Sequence, residues 1–232
     1  MKNHFFKSTL GLILIIMMSF TSFVVRGETH YRPHISIGAH GGMNMSRLSF
    51  SPEVPQSWYM GPTFGVQARY AEEKLVGILA ELNFAQRGWK ESFEDNPELQ
   101  YSRTLSYITL PIMTHISFGG KRFKCIVNLG PEFGLMFSDK ISSNFDYHNP
   151  GSLLPSTRRV NQMSMAVKNK FDYGITAGVG AEYYVSPHNS IYIEGRFYYG
   201  LGNIFSATKA DEFSASRIMS ISVTAGYNFR LY

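Results

Sequence analysis

Two groups of residues in this 232-residue chain are of types that do chemistry: histidines near serine, and charges of both signs. His34, Ser36 and His40 share one parity near the start of the folded part, and His115 stands on a later polar face. A Ser–His pair works as nucleophile and base only when a third group orients the imidazole. No spacing here supplies that third group. The reading is therefore no catalytic residue, with a lipid-modifying enzyme as the weaker alternative. His30, His34 and His40 are the nearest approach to a metal set, but strand alternation spreads them beyond ligand distance. No metal and no cofactor is expected. A lone Cys125 excludes a disulfide framework within one chain and a cysteine-rich metal site.

The charges are more informative. Arg69, Glu81, Lys124, Glu132, Glu182, Glu194 and Arg196 all fall on the polar parity of alternating segments. Buried charge is expensive unless paired, so these seven are expected to form an ion-paired network inside whatever the segments enclose.

Those segments are strands. Strict alternation of apolar and polar residues recurs over 34–45, 62–71, 75–87, 104–118, 123–138, 170–185, 190–202 and 217–232, which makes eight. Connections after the second, fourth and sixth are short, and those after the odd-numbered strands are long, around 46–60, 88–103, 139–169 and 203–216. An antiparallel meander with all tight turns at one end is the layout of outer-membrane barrels. A soluble barrel would fill its interior with the apolar face. Here the other face carries Gly, Ser, Thr, Asn and the charges, which suits a narrow lumen, while the aliphatic rows suit lipid. The expected fold is an all-β, eight-stranded, antiparallel up-and-down transmembrane β-barrel. A barrel of that size is filled by side chains, so general diffusion is disfavoured.

Residues 1–27 read as a secretory signal peptide, with Lys2 and Lys7 at a basic start, an apolar run from Leu10 to Phe20, and Val25-Arg26-Gly27 before cleavage. Residues 28–232 are then the barrel domain. The whole chain has 22 basic and 17 acidic residues; without Lys2, Lys7 and Arg26 the balance falls to +2. Nucleic-acid binding loses its only global support. Localisation to the outer membrane follows, with both termini periplasmic and outer-membrane lipid as the surrounding partner.

Pro111 and Pro131 fall within strands, where a missing N–H interrupts the ladder, and a local bulge or an outward kink is expected there. Loop 139–169, with Tyr147, Leu153, Leu154, Arg158 and Arg159, is the first candidate for partner binding. Loop 88–103, with Trp89, Glu91, Glu94, Asp95 and Glu98, is an acidic second.

The chain end, Thr224, Gly226, Phe229, Leu231 and Tyr232, resembles the C-terminal signal read by the barrel insertion machinery, which would make that machinery a partner. Three segments resemble the PorT family of Bacteroidota outer-membrane barrels: Glu81 to Trp89 (ELNFAQRGW), Leu105 to Pro111 (LSYITLP) and Val127 to Glu132 (VNLGPE). The resemblance implies a non-catalytic role in type IX protein secretion, and in some members gliding, through binding or assembly of other secretion components. A stand-alone structural or small-solute barrel is the alternative.

Overall fold

Side chains that alternate in polarity can satisfy lipid on one side and a filled lumen on the other only if the sheet closes. The computed structural model describes residues 33–71, 75–93, 96–148, 150, 153–155, 158–205 and 213–231. The leader, His30, Glu94, Asp95 and Tyr232 lie outside the described residues. The strands are β1 (His34–Ser51), β2 (Gln56–Ser57), β3 (Tyr59–Ala71), β4 (Val76–Glu91), β5 (Tyr101–Gly119), β6 (Phe123–Ser143), β7 (Phe171–Tyr184), β8 (Asn189–Gly200) and β9 (Ala215–Arg230). Among the described residues the one α-helix is the short α1 (Asn161–Ser164), which follows β6. The ring order is β4-β3-β1-β9-β8-β7-β6-β5, and β5 pairs back onto β4. All pairs are antiparallel, and the two-residue β2 only extends the edge at the end of β4. It is the eight-stranded barrel that the alternation implies. Closure leaves no lipid-facing edge with unpaired backbone groups, which is what a bilayer requires.

The outer wall is apolar. Ile78, Val66, Leu135, Ile193 and Val179 are more than half exposed, Val179 at 65%. In water such a surface would be a large unfavourable patch; in hydrocarbon it is the ordinary one. Short connections of a few residues join β3–β4, β5–β6 and β7–β8 at one end. Gly119 enters one of them at φ 138°, a conformation that favours glycine.

Two expectations need correction. Pro111 and Pro131 do lie close together, but no bulge marks them. The β5–β6 ladder passes from Pro111↔Glu132 to Thr114↔Leu129 with unchanged register, skipping only the pairs that the prolines interrupt. The bulge sits nearer the long-loop end, between Ser106 and Tyr107, where β6 accommodates Phe137 as an extra residue. The strands also run further than the alternation suggested. β1 continues to Ser51, β4 to Glu91 and β6 to Ser143, beyond the ~9–11 residues needed to cross a bilayer. Trp89 and Glu91 are therefore not loop residues. They end β4 and point inward, because they keep the parity of Glu81 and Asn83.

Candidate functional site: the lumen and its cap

Inward positions of the membrane-level strands stack into three charged tiers. At the short-turn end, Arg69 on β3 donates from Nη1 to both carboxylate oxygens of Glu182 on β7, at 2.9 and 3.0 Å. Ser190 Oγ and Asn228 Nδ2 also donate to Glu182, at 2.6 and 3.2 Å. In the middle tier Arg196 on β8 grips Glu81 on β4 through two bonds of 2.7 and 2.9 Å, and also reaches Glu194 at 2.9 Å. Asn83 donates to Glu81 and Asn128 to Glu194, while His40 Nε2 stands 3.9 Å from Glu81. In the third tier Arg87 pairs with Glu132, has Asp172 3.9 Å away, and lies 4.1 Å over the Tyr198 ring. Tyr198 donates its hydroxyl to Asp172 at 2.8 Å. Each buried carboxylate thus has a guanidinium within reach, the condition under which buried charge is tolerable.

Above the third tier the lumen changes character. Leu48, Phe50, Trp89, Leu105, Met163, Ile204, Phe205, Phe213 and Ile218 form a buried apolar plug. Phe50 sits edge-on to Trp89 with ring centres 5.8 Å apart, and 5.1 Å from Phe213. Alternation keeps its period along β1, but the polarity of the two faces inverts. His34, Ser36, His40, Asn44 and Ser46 point inward first and Leu48 and Phe50 afterwards, while Arg47, Ser49 and Ser51 replace aliphatics outside. Past the lipid, the barrel is built as a soluble one, with grease inside.

The β6–β7 connection folds down onto this plug. Tyr101 donates its hydroxyl to the Met163 carbonyl at 2.7 Å. Arg103 donates to Asp139 at 2.8 Å and to the Met165 carbonyl at 2.6 Å. Arg158 pairs with Glu91 at 2.9 Å and lies 4.4 Å over Phe93, while Gln162 and Trp89 also donate to Glu91. Burial raises the Glu91 pKa above the usual carboxylate value, against the pull of Arg158 and Gln162. Burial likewise holds the Tyr101 phenol above its ordinary value.

Of the seven charges read from sequence, six form the tiers, and Lys124 lies 5.2 Å from the Tyr184 ring at the short-turn end. Arg87 and Asp172 belong to the network and were missed; continuing the parity of Glu81 through β4 would have found Arg87. Of the loop candidates, Leu154 is buried, Tyr147 packs against the plug and Arg158 turns inward, leaving Leu153 and Arg159 exposed. His115 Nδ1 meets Asn128 Oδ1 at 2.7 Å, and His40 faces Glu81. Among the described residues no group of three or more His, Cys, Asp or Glu is placed to hold a metal. Thr224 and Asn228 point into the lumen near the chain end, and Phe229 and Leu231 point to lipid.

Residues 31–206 match the outer membrane protein beta-barrel domain family. The chain belongs to that family. Several solved structures are similar to this chain at low identity. Neisserial surface protein A is 12% identical, with 86% of this chain and 99% of that chain covered and a TM-score of 0.45. Ail, the attachment invasion locus protein of Yersinia pestis, solved with the heparin analogue sucrose octasulfate, is 15% identical, with coverages of 84% and 99% and a TM-score of 0.40. OprG from Pseudomonas aeruginosa is 9% identical, with coverages of 85% and 96% and a TM-score of 0.44. No curated protein matches the chain. As a member of this barrel family, the protein is an integral protein of the outer membrane.

Proposed function

We propose that this barrel acts by presenting a rigid folded surface to other components of the outer membrane, without conducting solute and without catalysis. One observation carries the reading: the lumen is closed twice, by three ion-paired tiers and by the apolar plug above them. A pathway for solute would require breaking several buried ion pairs, each costly to separate. What remains available to a partner is the outer wall and the capped end, with Leu153 and Arg159 exposed on it. In this reading the short turns face the periplasm, the cap faces outside, residues 1–27 are the export signal, and the chain end from Thr224 to Tyr232 addresses the insertion machinery.

The resemblance of Glu81–Trp89, Leu105–Pro111 and Val127–Glu132 to PorT barrels supports a finer assignment, as a component of type IX protein secretion. Deleting the gene and assaying type IX cargo in the medium tests it; loss of export supports it and unimpaired export removes it. Liposome swelling with the purified barrel tests the coarser reading. No flux is expected, and solute entry would favour a small-solute barrel instead.

A further inference from the structure

The outward row that ends the apolar band on the long-loop side consists of Trp58, Arg47, Met219 and Tyr199. Arg47 lies opposite Met219 on β9, and Met219 opposite Tyr199 on β8. The Arg47 guanidinium carbon stands 5.0 Å from the centre of the Trp58 ring. One row towards the membrane centre, Met60, Met45, Ile221 and Phe197 are wholly apolar. One row outward, Arg217 lies opposite Ser49, and its Nη1 stands 3.5 Å from the Tyr199 hydroxyl. Arg47 and Arg217 are thus diagonal neighbours on one face of adjacent strands, with Cβ atoms ~7–8 Å apart.

Neither guanidinium pairs with a carboxylate among the described residues. Arg217 Nε is buried and has no hydrogen-bond partner among the described residues. Beside Arg47 lies a hollow of about 690 Å³, walled by β1 and the chain that follows it. Gln56, which lines this hollow, is fixed at both ends of its amide to the Leu48 backbone. Among the described residues that line it, Glu53 is the one carboxylate and Arg47 the one cation, and Arg217 stands outside the lining, opposite Ser49.

Headgroups occupy this level of a bilayer. Amphipathic aromatics settle there, and long basic side chains reach anionic oxygens from it. Guanidinium forks match phosphate oxygens. We infer that Arg47 and Arg217 form an outward-facing site for the phosphate of a lipid headgroup in the leaflet on the long-loop side, flanked by Trp58 and Tyr199.

The test uses the folded full-length barrel in phosphatidylcholine vesicles containing a small fraction of brominated phosphatidic acid. Quenching of Trp58 reports lipid at the site, because Trp89, the other tryptophan, is fully buried in the plug. Wild type is expected to prefer phosphatidic acid over brominated phosphatidylcholine by about tenfold. The R47Q/R217Q variant is expected to lose the preference while keeping its heat-modifiable gel mobility. A K121Q/R122Q control at the short-turn end should keep it. No preference in wild type, or a preference that survives R47Q/R217Q or falls equally in the control, overturns the site. Loss of the preference on adding inorganic phosphate overturns the lipid assignment in favour of a free anion.

Discussion

Glu81 and Arg196 stand on strands four places apart in an eight-strand ring, and their side chains span the lumen in a two-pronged ion pair of 2.7 and 2.9 Å. Arg69 and Glu182 repeat the relationship on β3 and β7, again four places apart. Diametric pairs tie opposite walls together, so the tiers act as cross-braces as well as filling. Removing one partner leaves the other charged and buried. R196M, which strands both Glu81 and Glu194, is expected to cost about 3–5 kcal/mol or more, whereas an E81L/E194Q/R196M variant, which leaves no unpaired charge in the tier, should lie near neutral or above wild type. Urea unfolding of the barrel in detergent micelles, followed by tryptophan emission, separates the two outcomes.

The cap carries a pH dependence of definite sign. Burial raises the Glu91 pKa above its ordinary 4.5, so the folded cap favours the protonated form. Glu91 therefore contributes most to cap stability below that ordinary value, and the contribution fades as pH rises through the raised folded value. E91Q should flatten the profile and still accept the hydrogen bond from Gln162. R158Q, which removes the cation 2.9 Å away, should loosen the cap at neutral pH and spare it in acid. Amide exchange of residues 158–165, followed from about pH 4 to about pH 8, reads this directly. Equal protection of R158Q at both ends of that range would contradict it.

Much of this architecture was legible in the residues. Eight runs of period two, with short and long connections in turn, specify a closed meander, because one face of every run is aliphatic and the other polar. Ile191, Ile193 and Phe197 against Tyr192, Glu194 and Arg196 on β8 are enough to give the inside and outside of that strand. The strand ends were less legible, because polarity inverts where the wall leaves lipid. Leu48 and Phe50 continue the inward parity of His34 and Ser36 with opposite character, so a rule based on polarity stops near residue 45. Ion partners were not legible at all. Arg87 finds Glu132 two strands away and Asp172 three strands away, and only the ring order brings them together.

The inversion of faces makes opposite predictions for one substitution at two heights. Val179 is 65% exposed in the middle of the apolar rows of β7, between Val127 and Gly195 on its neighbours. V179R should cost about 2–4 kcal/mol, the range for a basic residue on the lipid face at the bilayer midplane. Ser49 faces outward beyond the apolar band, opposite Arg217. S49R should cost no more than about 1 kcal/mol. Reversible folding into vesicles of each variant, compared with wild type, measures the difference, and equal costs would mean that the apolar rows do not mark the bilayer.

Gly178 shows how little room the middle tier leaves. It faces the lumen on β7, opposite Arg196 on β8 and Asn128 on β6. A Cβ added there would lie 2.0 Å from Glu194 Oε1 and 3.0 Å from its carboxyl carbon. That carboxylate cannot swing away freely, because Arg196 and Asn128 both hold it at 2.9 Å. G178A should therefore cost about 1–3 kcal/mol by overpacking. Removing the obstructing side chain relieves the clash while Arg196 keeps Glu81, so G178A/E194A should cost less than the sum of the two single changes. The double-mutant cycle isolates that coupling. G195A is the control: Gly195 faces outward, and the nearest atom to its added Cβ is 3.9 Å away. It should fall within about 0.5 kcal/mol of wild type. Additivity between Gly178 and Glu194 would show that the tier repacks around the methyl group and is looser than its hydrogen bonds indicate.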